Sequence, residues 1–392
     1  MRLGRIPLEW HLASLDERFS RFTKITPETV SHIATRFSNP QKYEITCPID
    51  PLTDRNKQNV VSLAFHANEL SDGIFEDFAV RILFLLLTSG HSAPLHKALI
   101  DTNIGTDLAA SEHSGVGNTA YVSFTLRGVA DGDEPRVESE IMRVLEELPQ
   151  AGFESYRIEG IIHQFELDQK HQTGNFGLRI LANAVGKWFD GLDPIETLQL
   201  APLIERLRQE IASGPFFQNL IRKYFLENRS RLTLIMRPDS TFAAVTEAKE
   251  NALLSKKLGL LSQDDKKIVY EQGIALKETQ EKPEDLSVLP SLTVRDIPIK
   301  AEDYPVRREA IGQVPVTWRI APTNGITYVR ALSSLNGLPS HLRPYLPLFA
   351  DALSSLGTVT KSAGEFEDEI MLKTDGLSAK VMISTNHSGT SL

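Results

Sequence analysis

Two stretches of this chain, Val61 to Gly90 and Tyr328 to Gly357, read as one module written twice: a short strand pattern, a turn, and a helix that closes on a glycine. VSLAF and YVRAL are the strands, NELSDG and LNGLPS the turns, and IFEDFAVRILFLLL and HLRPYLPLFADALSSL the helices. Phe75, Phe78, Ile82 and Leu86 correspond position for position to Leu342, Tyr345, Phe349 and Leu353. That spacing predicts one buried helical face in each copy. A strand joined to a packing helix, twice over, directs the chain toward layers of sheet and helix.

The intervening patterns agree. A helix is predicted over PLEWHLASLDERFSRF, a strand over KYEITC and a short helix in APLHKALIDTNIG. Strands follow at DLAASEHSG and TAYVSFTLRGVA, then a helix at DEPRVESEIMRVLEELPQAG with an acidic first turn. Phe153 to Asp190 is nearly all helical, further helices run through Arg208 and Tyr224, and RLTLIMRPD is a closing strand. Two charged helices occupy Thr241 to about Gln280, joined near Leu261-Ser262-Gln263-Asp264, where the Ser or Asp can cap the second. Pro283, Pro290, Pro298 and Pro305 then block regular structure, and Asn324-Gly325 signals a hairpin between two strands of VPVTWRIAPTNGITYVRALSS. The fold class expected is α+β, with strand pairs carrying helices on one side.

At 392 residues and a formal charge of −9, the chain is long enough for two or more domains and presents no basic bias, which argues against nucleic acid and anionic membranes as partners. Its longest apolar run, Ile82 to Leu87, is far short of a membrane span. The one cysteine, Cys47, excludes an intrachain disulfide and a thiolate-rich zinc site, and reads as a small core residue. No signal or transit peptide is legible after Met1.

Three runs carry a specific resemblance: PTNGITYVRALSSLNGLPSHLRPYLPLFADALSSLGT, QKHQTGNFGLRILANAVGKWFDGLDPIETLQL and LLTSGHSAPLHKALIDTNIGTDLA. Over these, and nearly its whole length, the chain resembles the pitrilysin-type (M16-like) zinc metallopeptidases, in the subfamily, C, that carries both halves of the enzyme on one chain. The resemblance implies a peptide-cutting chamber built from two halves of two α+β domains each, joined by a helical hairpin. It also implies ATP-independent degradation of presequence peptides and other short unstructured peptides, in the mitochondrial matrix. Within it, residues 1–40 correspond to the tail of the first, catalytic-type domain and 41–239 to a complete second domain. Residues 240–283 correspond to the helical hairpin, 284–312 to a Pro-containing linker and 313–392 to the start of a third domain. On this expectation the first domain's zinc ligands and the whole fourth domain lie outside the chain, which supplies chamber wall and hinge.

The family's zinc sits on His-x-x-Glu-His, and none of the ten histidines here begins such a motif. The nearest approach, His163-Gln-Phe-Glu166, is followed by Leu167, and His171 lies about 12 Å further along the helix axis. His163 and Glu166 therefore read as ordinary helix residues, and His91, His96 and His113 as loop or surface residues without a carboxylate at metal spacing. Gly115-Val-Gly117 leads into a strand and is a turn, not a dinucleotide loop; no Gly-x-Ser-x-Gly elbow occurs. Glu146-Glu147 and Glu367-Asp368-Glu369 read as solvated acids, and Ile104-Gly-Thr-Asp107 as part of a wall. No catalytic, metal-ligating or cofactor-binding residue is assigned, and the chain alone is expected to bind no zinc and cleave no peptide. Two functions follow: an interior slice of a presequence-degrading zinc endopeptidase, or a non-catalytic structural or peptide-binding relative. An unfinished third-domain sheet would leave an open edge, which favours the slice.

Overall fold

The computed structural model describes residues 7–23, 25, 35–69, 72–111, 119–284, 286–289, 291–297, 299, 304–335 and 337–382. Its contacts divide the chain into two units, residues 1–238 with 323–392, and residues 239–322.

The first unit begins with α1 (Leu8–Phe19), which buries none of its residues. Then come β1 (Gln41–Cys47), β2 (Asn59–Glu69), α2 (Ile74–Thr88), α3 (Pro94–Leu99), β3 (Asp107–Ser111), β4 (Thr119–Val129) and α4 (Glu134–Ala151). Four helices, α5 (Ser155–Lys170), α6 (Phe176–Phe189), α7 (Leu200–Ser213) and α8 (Phe216–Ile221), lead to β5 (Arg231–Pro238). The five strands form one sheet in the order β1-β5-β2-β4-β3, with β1 parallel to β5 and the other pairs antiparallel.

Strand periodicity explains the core. Val61, Leu63 and Phe65 point to one face of β2 and are at most 1% exposed, while Val60, Ser62 and Ala64 between them are half-buried. On the adjacent strand Leu63 lies opposite Phe124, and Val61 opposite Leu126. The buried face of the sheet meets α2 through Phe84, stacked on Phe124 at 6.0 Å, and the turn after α8 through Phe225, edge-on to Phe65 at 5.0 Å. Val137, Ile141 and Leu145 of α4, spaced for one helical face, are fully buried in the same cluster. The expected α+β architecture, helices on one face of a mainly antiparallel sheet, is what these residues build. Cys47 ends β1 half-buried rather than in the core, and burial pushes its thiol up.

The first copy of the strand–turn–helix module behaves as its pattern predicts; the second does not. Phe75, Phe78, Ile82 and Leu86 are 7%, 5%, 0% and 0% exposed, whereas Leu342, Tyr345, Phe349 and Leu353 are 41%, 62%, 61% and 45% exposed. Residues 326–335 are neither strand nor helix. The expected long helix is a 3₁₀ turn, Ser340–Tyr345, followed by α11 (Leu346–Ala352). Pro344 and Pro347 each lack an amide donor, which breaks the helical ladder between them. Without a sheet beneath it among the described residues, the same spacing buries nothing but Ala350. The first unit closes with α12 (Ala363–Lys373).

In the second unit α9 (Phe242–Leu260) and α10 (Gln263–Glu281) bury no residue. Ser262 caps α10: its Oγ accepts from the Asp265 amide at 3.1 Å while the Asp265 carboxylate accepts from the Ser262 amide at 3.1 Å. The hairpin forms earlier than Asn324-Gly325 suggested, between β6 (Arg307–Ile311) and β7 (Val314–Trp318), inside and just after the stretch expected to be linker. Gly312, at φ +60°, supplies its two-residue turn with Gln313. Asn324 and Gly325 do make a turn with positive φ, 57° and 84°, but no strands flank it. Among the described residues no helix is long and apolar enough to cross a membrane.

Candidate functional site

Helices α2, α5, α6 and α7 wall a groove of about 600 Å³. Its apolar side includes Phe78, Phe165, Phe176, Ile180 and Leu203. Phe78 and Phe165 meet edge to face at 5.2 Å, and the Arg81 guanidinium lies 5.1 Å from the Phe165 ring centre. Asp77 sits on the buried face of α2 and accepts a 2.9 Å bond from Lys187 of α6. An apolar wall with a few fixed polar groups is the ordinary makeup of a site that receives apolar groups of a ligand.

The histidines weighed in the sequence have structural partners. His163 Nδ1 lies 3.1 Å from the Met371 carbonyl, and Glu166 accepts from Lys170 one turn on, which with burial opposing it holds the carboxyl below its ordinary range. His171 Nδ1 is 2.9 Å from the Tyr328 hydroxyl. The His91 and His96 rings touch edge to face at 4.9 Å, and His96 Nδ1 is 3.5 Å from Asp101. His113 and Gly115-Val-Gly117 lie outside the described residues. Glu147 pairs with Arg143 on an exposed helix face.

The acidic run Glu367-Asp368-Glu369, expected to be solvated, is instead placed at a junction. Asp368 is 3% exposed and pairs at 3.1 Å with Arg157 of α5, itself 6% exposed. Arg157 also donates to the Leu86 and Ser89 carbonyls and to Ser92 Oγ, and Ser92 Oγ donates to Asp368 at 2.6 Å. Burial pulls the Arg157 guanidinium down from its ordinary value, and the Asp368 charge opposes that. Glu367 accepts a 2.6 Å bond from the His91 amide. That approach uses Gly90, whose φ is +79° and whose absent Cβ would lie 2.9 Å from the Glu367 carboxylate. Glu369 is clamped by Lys361 and Lys373, which hold its carboxyl down to about 2.

One carboxylate thus reaches the His91 backbone amide and another lies near the His96 ring, and the one at His91 comes from a position that linear spacing could not reveal. Arg157 and Asp368 had a partial signal. Arg157 falls on the same face of α5 as Gly160 and Ile161, a place where an arginine requires an acid, and Ser362 with Glu365 writes a helix start before Asp368. Among the described residues no group of three His, Cys, Asp or Glu side chains could hold a metal ion. The residues described here do not fit the zinc that the resemblance implies for the family.

Residues 236–391 match the family described as peptidase M16, subfamily C, associated. The chain is 36% identical over 381 residues to the mitochondrial presequence protease of Xenopus laevis, covering 96% of this chain and 37% of that protein. It is 35% identical over 390 residues to the corresponding protein of Yarrowia lipolytica, covering 98% and 39%. The chain thus spans about two-fifths of the length of these curated relatives. The crystal structure of the periplasmic protease PqqL from Escherichia coli covers 94% of this chain and 40% of its own, at 14% identity and a TM-score of 0.45.

Proposed function

The chain belongs to subfamily C of the M16-type peptidases, and from that premise we propose that it forms a non-catalytic stretch of a zinc metalloendopeptidase that degrades presequence peptides. The observation that carries this reading is the 36% identity to a presequence protease over 381 residues. In the proposed organisation, residues 1–40 end a first domain, 41–239 form the second and 313–392 open a third. Residues 240–283 and 284–312 connect the last two. The second domain supplies chamber wall, and the groove beside Phe165 is the surface it offers to the apolar side chains of a peptide. The zinc and its general base belong to the first domain of the whole enzyme. The names of the relatives place them in mitochondria, and we extend that location, and the matrix in particular, to this chain.

A chimera tests the proposal. This chain replaces the matching stretch of the Xenopus laevis protease, and a fluorogenic presequence-like peptide is the substrate. Cleavage by the chimera that a chelator abolishes, with none by the isolated chain, is the expected result. A folded chimera without activity, or chelator-sensitive cleavage by the isolated chain, overturns it.

A further inference from the structure

Helix α12 is fastened to α5 and to the turn after α2 along its whole length. At its start, Ser362 and Glu365 form a reciprocal capping box, and Gly364 packs so close to Ser92 that a Cβ added there would lie 3.4 Å from Ser92 Cβ. At its middle are the Arg157–Asp368 pair and the shared Ser92 hydroxyl, joining residues 211 positions apart. At its end, Gln164 donates to the Met371 carbonyl at 2.8 Å and to the Thr374 carbonyl, and Met371 packs against the main core. Gly160 faces the same stretch, and a Cβ there would meet the Leu372 amide at an ordinary contact distance of 3.7 Å.

We propose that α12 is a clasp, and that the surface made by Arg157, Gly160, Gln164 and Ser92 is its acid-reading receptor. The clasp ties the segment beginning at Thr323 to the body that ends at Pro238. Arg157 supplies selectivity. It also donates to the Leu86 and Ser89 carbonyls, which lie outside α12, so contacts independent of the clasp help to fix its positive charge. Asp368 satisfies that charge; a neutral side chain leaves it unpaired, and a basic one meets like charge in a site that excludes water. The buried pair sets the register.

Hydrogen exchange on the full chain, read by mass spectrometry, tests this. In the parent protein the α12 amides are protected together with those of α5. Asp368→Lys raises exchange in α12 by at least about tenfold while β2 and β4 keep their protection. A cysteine pair gives a second readout that needs no disruptive change. In a Cys47→Ser background, Ser92→Cys with Gly364→Cys places the two Cβ atoms close to disulfide spacing, and mild oxidation closes an intrachain bridge. Adding Asp368→Lys reduces that bridge. Rapid α12 exchange in the parent protein, or failure of the cysteine pair to close, overturns the clasp. If Asp368→Lys also strips protection from β2 and β4, bridge formation in the protein without that substitution decides.

Discussion

Arg157 and Asp368 meet at 3.1 Å with their side chains only 6% and 3% exposed, and one hydroxyl, Ser92 Oγ, touches both. The arginine also holds two backbone carbonyls at the end of α2, so it serves the helical layer as well as the pair. Arg157→Met is expected to cost about 3–5 kcal/mol, because it strands a buried carboxylate and two carbonyls together. Urea unfolding of the full chain measures it. A loss under about 1 kcal/mol would mean that water reaches the pair in solution.

The two copies of the repeated module make a matched test of burial. Ile82, fully buried on α2, is expected to cost about 2–5 kcal/mol when changed to Ala. Phe349, 61% exposed, is expected to cost no more than about 0.5 kcal/mol for the same change. Equal losses by chemical denaturation would show that the second helix packs against something after all.

Acid should loosen α12 before it reaches the sheet. Lys361 and Lys373 hold the Glu369 carboxyl at about 2, against 4.5 for an ordinary glutamate. Its contribution is complete above the ordinary value, declines as pH falls through that range, and is gone once pH drops below about 2. Water reaches the Glu369 side chain, so salt should weaken the effect. Exchange of α12 amides between pH 5 and 2, with and without Glu369→Gln, reports it; identical pH profiles for the two proteins would exclude this linkage.

Ser262→Ala removes the acceptor for the Asp265 amide at the start of α10. The expected loss is about 1 kcal/mol of local helix stability, seen as faster exchange in the first turn of α10 and unchanged exchange in α2. Asp265→Ala should act in the same direction, since the capping box is reciprocal.

Zinc binding is the direct check on the site assignment. The isolated chain, refolded with one equivalent of zinc and dialysed, is expected to retain far less than stoichiometric metal by atomic absorption. Stoichiometric retention would require a ligand set that the described residues do not form.

Much of the fold was legible because short-range rules decided it. The alternation in VSLAF, the helical spacing from Phe75 to Leu86 and the cap at Ser262 each depend on residues within a few positions of one another. The same rules misled at Leu342 to Leu353, where the apolar spacing is present and, among the described residues, the partner sheet is not. They also placed the hairpin at Asn324-Gly325, whose backbone does turn, although pairing needs two strands and Gly312-Gln313 lies between them instead.

By itself, then, the sequence determined the α+β class, the strands and helices between Gln41 and Pro238, and the absence of the family's His-x-x-Glu-His motif. Tertiary structure alone decided which acids are solvated and which are buried. Glu147 and Asp368 are both acids on helices, yet one shares an exposed face with Arg143 and the other is enclosed against Arg157. The physical reason is range. Helical and strand periods are written within one turn or a few residues, whereas the environment of a charge depends on what folds over it, here from a segment 211 positions away.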